Sequence, residues 1–254
     1  MLLKRAAKAA IATLILLTIL AAPCAAQQDL YEETTGVPPK ALELFKKAQN
    51  LEQAGKSEEA IKTYQNAIRL EPKYAGAYAQ MGLAYANLGQ YPEAVKAFQE
   101  VIRLQPQASL AHGNLGAALL KMGQFQEARN AFREAVRLRP DDAEAHYNLG
   151  VALGKLKRDR EAREEFAQAA KLQPDMARAH RSLGMAALNL NRLDEARKEL
   201  QEAVVLDPKD AQGHYALCVY YAKTGDAQAA NREFKILQGL DKNLAQKLTE
   251  QIRK

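Results

Sequence analysis

The sequence of 254 residues contains no tryptophan, six phenylalanines and two cysteines. Strands favour aromatic and β-branched side chains, whereas alanine, which is very frequent here, is the strongest helix former. The length and a hydrophobic content of 48% are sufficient to bury a sizeable core. The composition therefore predicts a protein built from closely packed helices.

Motifs for catalysis and ligand binding are also missing. The chain has no glycine-rich phosphate loop, no HExxH and no CxxC pair. Half of the formal net charge of +6 comes from three basic residues among the first eight, and nucleic-acid binding normally requires a clustered basic face. We therefore predict no catalysis, no metal, no cofactor, no small-molecule substrate and no nucleic-acid partner.

The first 26 residues follow the pattern of a secretory signal peptide. A positively charged start, MLLKRAAK, is followed by an apolar stretch over residues 9–22 and then by small residues. Cleavage after Ala26 would begin the mature chain at Gln27. We predict export to the periplasm or the exterior, with a polar, proline-containing linker over residues 27–40.

Two alternatives to this cleavage place the protein at a membrane. The first is a retained anchor, but the apolar stretch is shorter than the ~20 residues that a spanning helix needs. The second is acylation of Cys24, as in bacterial lipoproteins, although Pro23 is a poor match beside such a cleavage site.

Two cysteines are too few for a disulfide framework. Removal of the first 26 residues would leave Cys218 alone and unable to form an internal disulfide, so packing must supply the stability. We interpret Cys218 as a small buried filler, a more common role for a single thiol than reactivity.

The rest of the chain is organised by a repeat of 34 residues. Prolines recur at this interval, at Pro72, Pro106, Pro140, Pro174 and Pro208. All four histidines do so as well, at His112, His146, His180 and His214. The period divides the chain into six repeats, 41–74, 75–108, 109–142, 143–176, 177–210 and 211–244.

Each repeat has the pattern of two helices separated by a turn. The first helix carries apolar residues at helical spacing, such as Leu115 and Leu119. Four repeats have glycine at the turn, where it accepts the left-handed backbone that ends a helix. Lys157 and Asn191 replace it in repeats four and five, and we expect the turn at Lys157 to differ. The prolines end the second helix, because proline cannot continue the hydrogen-bond ladder.

Repeat three shows the whole pattern of bulky, small and aromatic positions: His112, Leu115, Gly116, Leu119, Ala128, Phe132, Ala135 and Pro140. In this pattern the six repeats resemble the tetratricopeptide repeat family, over about four fifths of the chain. The resemblance implies an all-α, right-handed superhelical solenoid of six antiparallel helix pairs, whose neighbours stack into one continuous core. A C-terminal capping helix, with residues 245–254 at its end, is predicted to cover the last pair.

The row of histidines allows two interpretations, a functional row of metal ligands or proton carriers and one repeated structural position. Repeat two has Tyr78 and repeat one has Leu44 at the same place, which indicates packing. Equivalent residues of stacked repeats are separated by at least the ~8–10 Å between packed helices. Four nitrogens so placed cannot reach one zinc ion at ~2.0–2.1 Å, so we predict a structural row.

The resemblance also implies where a partner would bind. In the tetratricopeptide repeat family, the first helices line a concave groove that holds a peptide or a helix of another protein. The matching positions are Leu83, Asn87, Leu110, Asn114, Ala117, Lys121, Tyr147, Asn148, Val151, Lys155, Arg178, Arg181, Met185, Tyr215 and Val219. Amides can hydrogen-bond a peptide backbone, and arginine can bind a carboxylate at two points. Ordinary solvation is the alternative interpretation of the polar members.

From the repeats and the signal peptide, we predict an exported, non-catalytic scaffold or adaptor that binds a protein or peptide in this groove. The alternative is a membrane-tethered assembly factor similar to the tetratricopeptide lipoproteins of type IV pilus biogenesis. The number of repeats fits that alternative, whereas the junction of Pro23 and Cys24 fits it poorly.

The mass of the mature N-terminus distinguishes the two hypotheses. Cleavage of a secretory signal should yield a chain that starts at Gln27, whereas a tethered lipoprotein should start at an acylated Cys24. Mass spectrometry of the N-terminal peptide isolated from cells measures this directly. An unprocessed chain that retains Met1 would contradict both cleavages and would match the retained anchor.

Overall fold

The computed structural model describes residues 36–253. The predicted signal peptide, Cys24 and residues 27–35 of the predicted linker lie outside this part of the chain. Between residues 36 and 253 the chain forms thirteen α-helices and no strand. None of these thirteen helices is long and apolar enough to cross a membrane.

Twelve of the helices form six consecutive pairs, which confirms the predicted arrangement, and one more follows at the C-terminus. The first helices are α1 (Pro39–Gln53), α3 (Ala75–Asn87), α5 (Ser109–Lys121), α7 (Ala143–Lys155), α9 (Ala177–Asn189) and α11 (Ala211–Thr224). The second helices are α2 (Ser57–Leu70), α4 (Tyr91–Leu104), α6 (Phe125–Leu138), α8 (Asp159–Leu172), α10 (Leu193–Leu206) and α12 (Ala227–Leu240). The C-terminal helix is α13 (Lys242–Arg253).

The described helices fall into two compact units, divided between Pro140 and Asp141. The first unit contains α1 to α6, and the second contains α7 to α13. Each second helix packs against its own partner, and each one that is followed by another helix of the same unit also packs against that helix. Because a single pair cannot bury its apolar side alone, this stacking supplies the core of each unit.

The two helices of a pair approach closely where a glycine faces a large side chain. In the third pair, a Cβ atom added to Gly116 would lie 2.8 Å from the ring of Phe132. The same contact recurs in three other pairs: Gly82 with Phe98, Gly150 with Phe166 and Gly184 with Leu200. The facing side chains are fully buried. At these four positions a larger residue than glycine would overlap the facing side chain, so that side chain or the helices would have to shift.

The turn between paired helices has nearly the same backbone in five of the pairs. The glycines of pairs one to three adopt φ angles of 74–75°. Contrary to the expectation for repeat four, Lys157 adopts the same left-handed region at φ 61°, as does Asn191 at φ 60°. The turn that differs belongs to pair six, where Gly225 at φ 89° directly follows the 14-residue helix α11. The packing of the two helices therefore overrides the preference of the lysine.

The second helices end two residues before the repeating prolines. In the third repeat, α6 ends at Leu138, and Arg139 lies between it and Pro140. Proline disfavours helical backbone in the residue before it, which accounts for this position. However, α12 ends at the equivalent place although Lys242 stands where the other repeats have proline. There the carboxylate of Asp241 accepts a hydrogen bond from a backbone N–H of α13 and so caps the next helix.

The close contact between Gly116 and Phe132 predicts that Gly116→Ala destabilises the protein. The added methyl group overlaps the ring, so we expect a net loss of about 1–2 kcal/mol in the free energy of unfolding after the better helix propensity of alanine is included. Gly113 on the same helix is the matched control, because nothing lies within 4 Å of its added Cβ atom. Urea unfolding followed by circular dichroism measures both, and equal destabilisation by Gly113→Ala and Gly116→Ala would contradict the packing argument.

Candidate binding surface

The predicted groove residues all lie on first helices of the pairs. They are Leu83 and Asn87 on α3, Leu110, Asn114, Ala117 and Lys121 on α5, Tyr147, Asn148, Val151 and Lys155 on α7, Arg178, Arg181 and Met185 on α9, and Tyr215 and Val219 on α11. Residues three or four apart share one face of a helix, so each set forms a row. The rows of α3 and α5 belong to the first unit, and the other three rows belong to the second.

In the first unit, the two rows remain accessible. Leu83 and Leu110 are half-buried against two separate apolar clusters. Asn87 and Lys121 are exposed, and Asn114 is half-buried. Because α3 and α5 contact each other, these side chains occupy neighbouring positions. We call the five residues the open face.

Asn114 contributes an unsatisfied donor to the open face. Its side-chain nitrogen Nδ2 is buried and has no hydrogen-bond partner in the described part of the chain. A buried donor without a partner costs about 1–3 kcal/mol. Because Nδ2 is buried, a carbonyl oxygen of a bound chain can reach it only if the Asn114 side chain turns toward the surface, where the contact would be stabilising.

In the second unit, most of the predicted groove residues are buried. Five of them are 2–5% exposed: Tyr147, Val151, Met185, Tyr215 and Val219. The last three belong to an apolar cluster that also contains residues of α10, α12 and α13. Asn148 and Lys155 are half-buried. Burial and, to a smaller extent, the charge of Lys157 lower the pKa of Lys155.

Arg178 is held by the first helix of the preceding pair. Its Nη2 atom donates to Glu144 Oε1, and its guanidinium carbon lies 4.9 Å from the centroid of the Tyr147 ring. The Tyr147 ring in turn packs against Phe166, with 5.7 Å between the centroids. Burial, followed by the charge of Arg181, lowers the pKa of Arg178. Arg178 therefore ties α9 to α7.

Arg181 fastens α9 to the start of α11. Its Nη1 atom donates to Asp210 Oδ2, and the other oxygen of that carboxylate accepts from the backbone N–H of Gln212 at 3.0 Å. The Arg181 and Asp210 side chains are 11% and 14% exposed. Asp210 thus caps α11 and binds Arg181 at the same time. The two arginines expected to bind a partner's carboxylate are both engaged within the protein.

One of these two ion pairs has a signal in the sequence. Arg178 and Glu144 are 34 residues apart, so they occupy the same position in neighbouring repeats and lie side by side. Opposite charges at one repeat position therefore indicate an internal pair. Arg181 and Asp210 are 29 residues apart and have no such signal, because their contact joins a helix face to the cap of the next repeat.

Structural contacts engage the row of histidines. A glutamate on the second helix of the same pair lies 2.6–2.7 Å from Nδ1 in three cases: His146 with Glu165, His180 with Glu199 and His214 with Glu233. Across residues 36–253 no three potential ligands come together in a way that could hold a metal ion. These contacts give the histidines a structural role. The contacts are polar, whereas the sequence argument had expected packing alone.

The pattern of paired helices is matched by a family model. This model, described as the Cilia and flagella-associated protein 70 C-terminal domain, matches residues 3–249. The chain belongs to the tetratricopeptide repeat family. Proteins with this fold are typically non-catalytic scaffolds for protein interactions.

Several solved tetratricopeptide repeat structures are similar to the chain. MamA from Desulfovibrio magneticus RS-1, residues 41 to the end, is 28% identical, with a TM-score of 0.65 over 69% of this chain and 99% of that one. YrrB is 22% identical, with a TM-score of 0.62 over 74% and 97% of the two chains. PilW is 18% identical, with a TM-score of 0.69 over 80% and 94%. The last two likenesses concern the fold alone. No curated protein matches the chain.

This tetratricopeptide repeat protein uses one repeat position differently in its two units. Lys121 is exposed at the end of α5. Lys223 occupies the equivalent position on α11, where its Nζ atom donates to the Leu188 carbonyl oxygen at 2.6 Å, and burial lowers its pKa. The same residue type thus faces solvent in the first unit and stabilises a neighbouring helix end in the second. The open face is therefore the better candidate for partner binding.

The engagement of Arg181 predicts that Arg181→Ala is costly for stability. Removing one member of a largely buried pair leaves Asp210 uncompensated, so we expect a loss of about 3 kcal/mol in the free energy of unfolding. Arg137 is the matched control, because it pairs with Glu134 on the surface and its side chain is 59% exposed. Arg137→Ala should cost about 0–1 kcal/mol. A loss below 1 kcal/mol for Arg181→Ala in urea unfolding would show that this pair does not stabilise the second unit.

Proposed function

We propose that this protein is an exported, non-catalytic adaptor that binds a protein or peptide in the groove of its first helices, mainly through the open face of the first unit. The observation that carries this proposal is an accessible face that includes the Asn114 amide, whose Nδ2 atom has no hydrogen-bond partner in the described residues. This amide lies on a surface whose remaining members are accessible, whereas the equivalent surface of the second unit is largely buried or paired.

The chemistry of the open face suits an extended peptide. The amides of Asn87 and Asn114 can donate to and accept from a peptide backbone whatever its sequence. Leu83 and Leu110 offer apolar area that a partner's side chains could cover, at about 25 cal/mol per Å² buried. Lys121 can pair with a carboxylate at the edge of the site. YrrB is described as having an unusual peptide-binding site, which supports peptide binding as a role for this fold.

Export rests on the sequence pattern of residues 1–26, which lie outside the described part of the chain. A cleaved signal peptide would place the adaptor in the periplasm or outside the cell. The alternative, a tethered assembly factor, draws on Cys24 and on the fold likeness to PilW, which is described as a type IV pilus biogenesis factor. The partner-binding proposal is the same in both cases, because a tether at the N-terminus leaves the open face unchanged.

Loss of partner capture by a variant of the open face tests the proposal. The variant combines Asn87→Ala, Asn114→Ala and Lys121→Ala, which remove two amides and one cation. In a crosslinked pulldown from intact cells, we expect the native protein to capture a partner and the triple variant to capture at least about tenfold less, since two or three interactions of about 1 kcal/mol are lost.

A control of the same composition lies on two of the second helices. Lys96→Ala, Gln99→Ala and Gln126→Ala also remove two amides and one cation, all from exposed positions of α4 and α6. This control should capture the partner as the native protein does, and circular dichroism should show that both variants are folded. Equal capture by the native protein and the open-face variant would place binding on another surface.

A further inference from the structure

The turn of repeat four, between α7 and α8, concentrates positive charge. Residues 155–160 read KLKRDR, with four basic residues and one acidic residue. In the other five turns the excess of basic over acidic residues is at most one, over residues 53–58, 87–92, 121–126, 189–194 and 223–228. We call residues 155–160 the basic turn.

Three of the four cations of the basic turn have no ion pair. Arg158 donates from Nε and Nη2 to the two carboxylate oxygens of Glu161, at 2.6 and 2.7 Å. Lys155, Lys157 and Arg160 form no ion pair with a carboxylate among residues 36–253. Lys157 and Arg160 are exposed, and Lys155 is half-buried. The turn therefore presents three positive charges that the described part of the chain does not neutralise.

The two lysines of the turn are close enough to repel each other. Burial and then the charge of Lys157 lower the pKa of Lys155. An opposite charge within about 4–6 Å favours the charged form of such a group. An anion supplied from outside the chain would therefore relieve this repulsion and be held by both ammonium groups.

Lys157 adds its charge at a position where glycine would serve the backbone better. Its φ angle of 61° lies in the left-handed region, which a residue with a Cβ atom adopts less readily than glycine. Its backbone N–H donates to the Gly154 carbonyl oxygen at 3.1 Å, as that of Gly123 donates to Leu120 in repeat three. The lysine thus gives the turn no hydrogen bond that glycine lacks, and what it adds is an exposed ammonium group.

The surroundings of the basic turn suit carboxylates better than a phosphate group. Phosphate binds well at a helix N-terminus or to the fork of an arginine. Here Asp159 and Glu161 place carboxylates in the first turn of α8, and Glu161 occupies the fork of Arg158. An acidic peptide can instead bring separate carboxylates to separate cations without entering this helix end.

We propose that the basic turn binds an acidic peptide segment of a partner protein. Lys155 and Lys157 pair with its carboxylates, and Arg160 adds a third cation at the start of α8. This site lies entirely within the second unit and outside the open face, so it stands independently of peptide binding at that face.

A double variant, Lys155→Gln and Lys157→Gly, tests the site with octaglutamate as the probe. In calorimetric titration of the full chain at low ionic strength, where surface charges are weakly screened, we expect the Kd to rise about tenfold because two ion pairs are lost. Glycine relieves the left-handed backbone at position 157. The unfolding constant of the variant in urea should therefore not exceed that of the native protein.

A matched control removes the same charge from another surface. Lys62 and Lys96 are exposed and occupy one repeat position on α2 and α4. Lys62→Gln with Lys96→Gln should leave the Kd within about twofold of the native value, as should the open-face variant. Equal weakening by the control and by the basic-turn variant would show that net charge alone attracts the probe, which would overturn the proposal.

Two further measurements complete the test. Tripolyphosphate should bind the native protein more weakly than octaglutamate. Tighter binding of tripolyphosphate, lost in the basic-turn variant, would assign the site to phosphate and overturn the assignment to an acidic peptide. Octaglutamate should also shift the backbone amide NMR signals of residues 155–160 in the native protein. Shifts confined to other residues would overturn the proposal even if the variant failed to fold.

Discussion

The close approach of two helices at a glycine shapes four of the six helix pairs. Where Gly116 meets the ring of Phe132, no other residue leaves room for the ring, and the contact recurs in neighbouring pairs. The approach fixes the turn between the helices so firmly that Lys157 adopts a left-handed backbone in place of glycine. In repeat five it also sets the position of the second helix from which Glu199 reaches His180.

In stacked repeats, side chains at the same repeat position lie next to each other. The residue types at that position then decide whether these side chains contact each other or remain accessible. In the first unit, the row of α5 keeps an amide donor without an internal partner at Asn114. In the second unit, Arg178 lies beside Glu144, and the row becomes an internal tie between helices. Because the two side chains lie side by side, an acidic residue in one repeat and a basic residue in the next form an internal ion pair, as Glu144 and Arg178 do.

The histidines illustrate how far periodicity carries an interpretation. Their spacing of 34 residues and their exchange with Tyr78 and Leu44 were sufficient to predict a structural position. Their hydrogen bonds were not predicted, because the glutamates that meet them are ordinary charged residues of a helix surface until the two helices are placed together. The positions of the open face were likewise predicted from the family pattern. The absence of a hydrogen-bond partner for Asn114 Nδ2 within the described residues was not predicted.

The sequence by itself was sufficient to predict the six helix pairs and the positions of the turns between them, and it named the first helices as the elements on which a partner could bind. Those features depend on contacts within a few residues or on a pattern repeated six times, and both can be recognised along the chain. The tertiary structure alone decided which polar groups have hydrogen-bond partners. Arg181 is paired with Asp210, whereas the Nδ2 atom of Asn114 has no partner in the described residues. The strength of a hydrogen bond depends on the donor–acceptor distance, to within tenths of an ångström, and on the bond angle. For Arg181 and Asp210, which are 29 residues apart, the packing of whole helices sets both quantities.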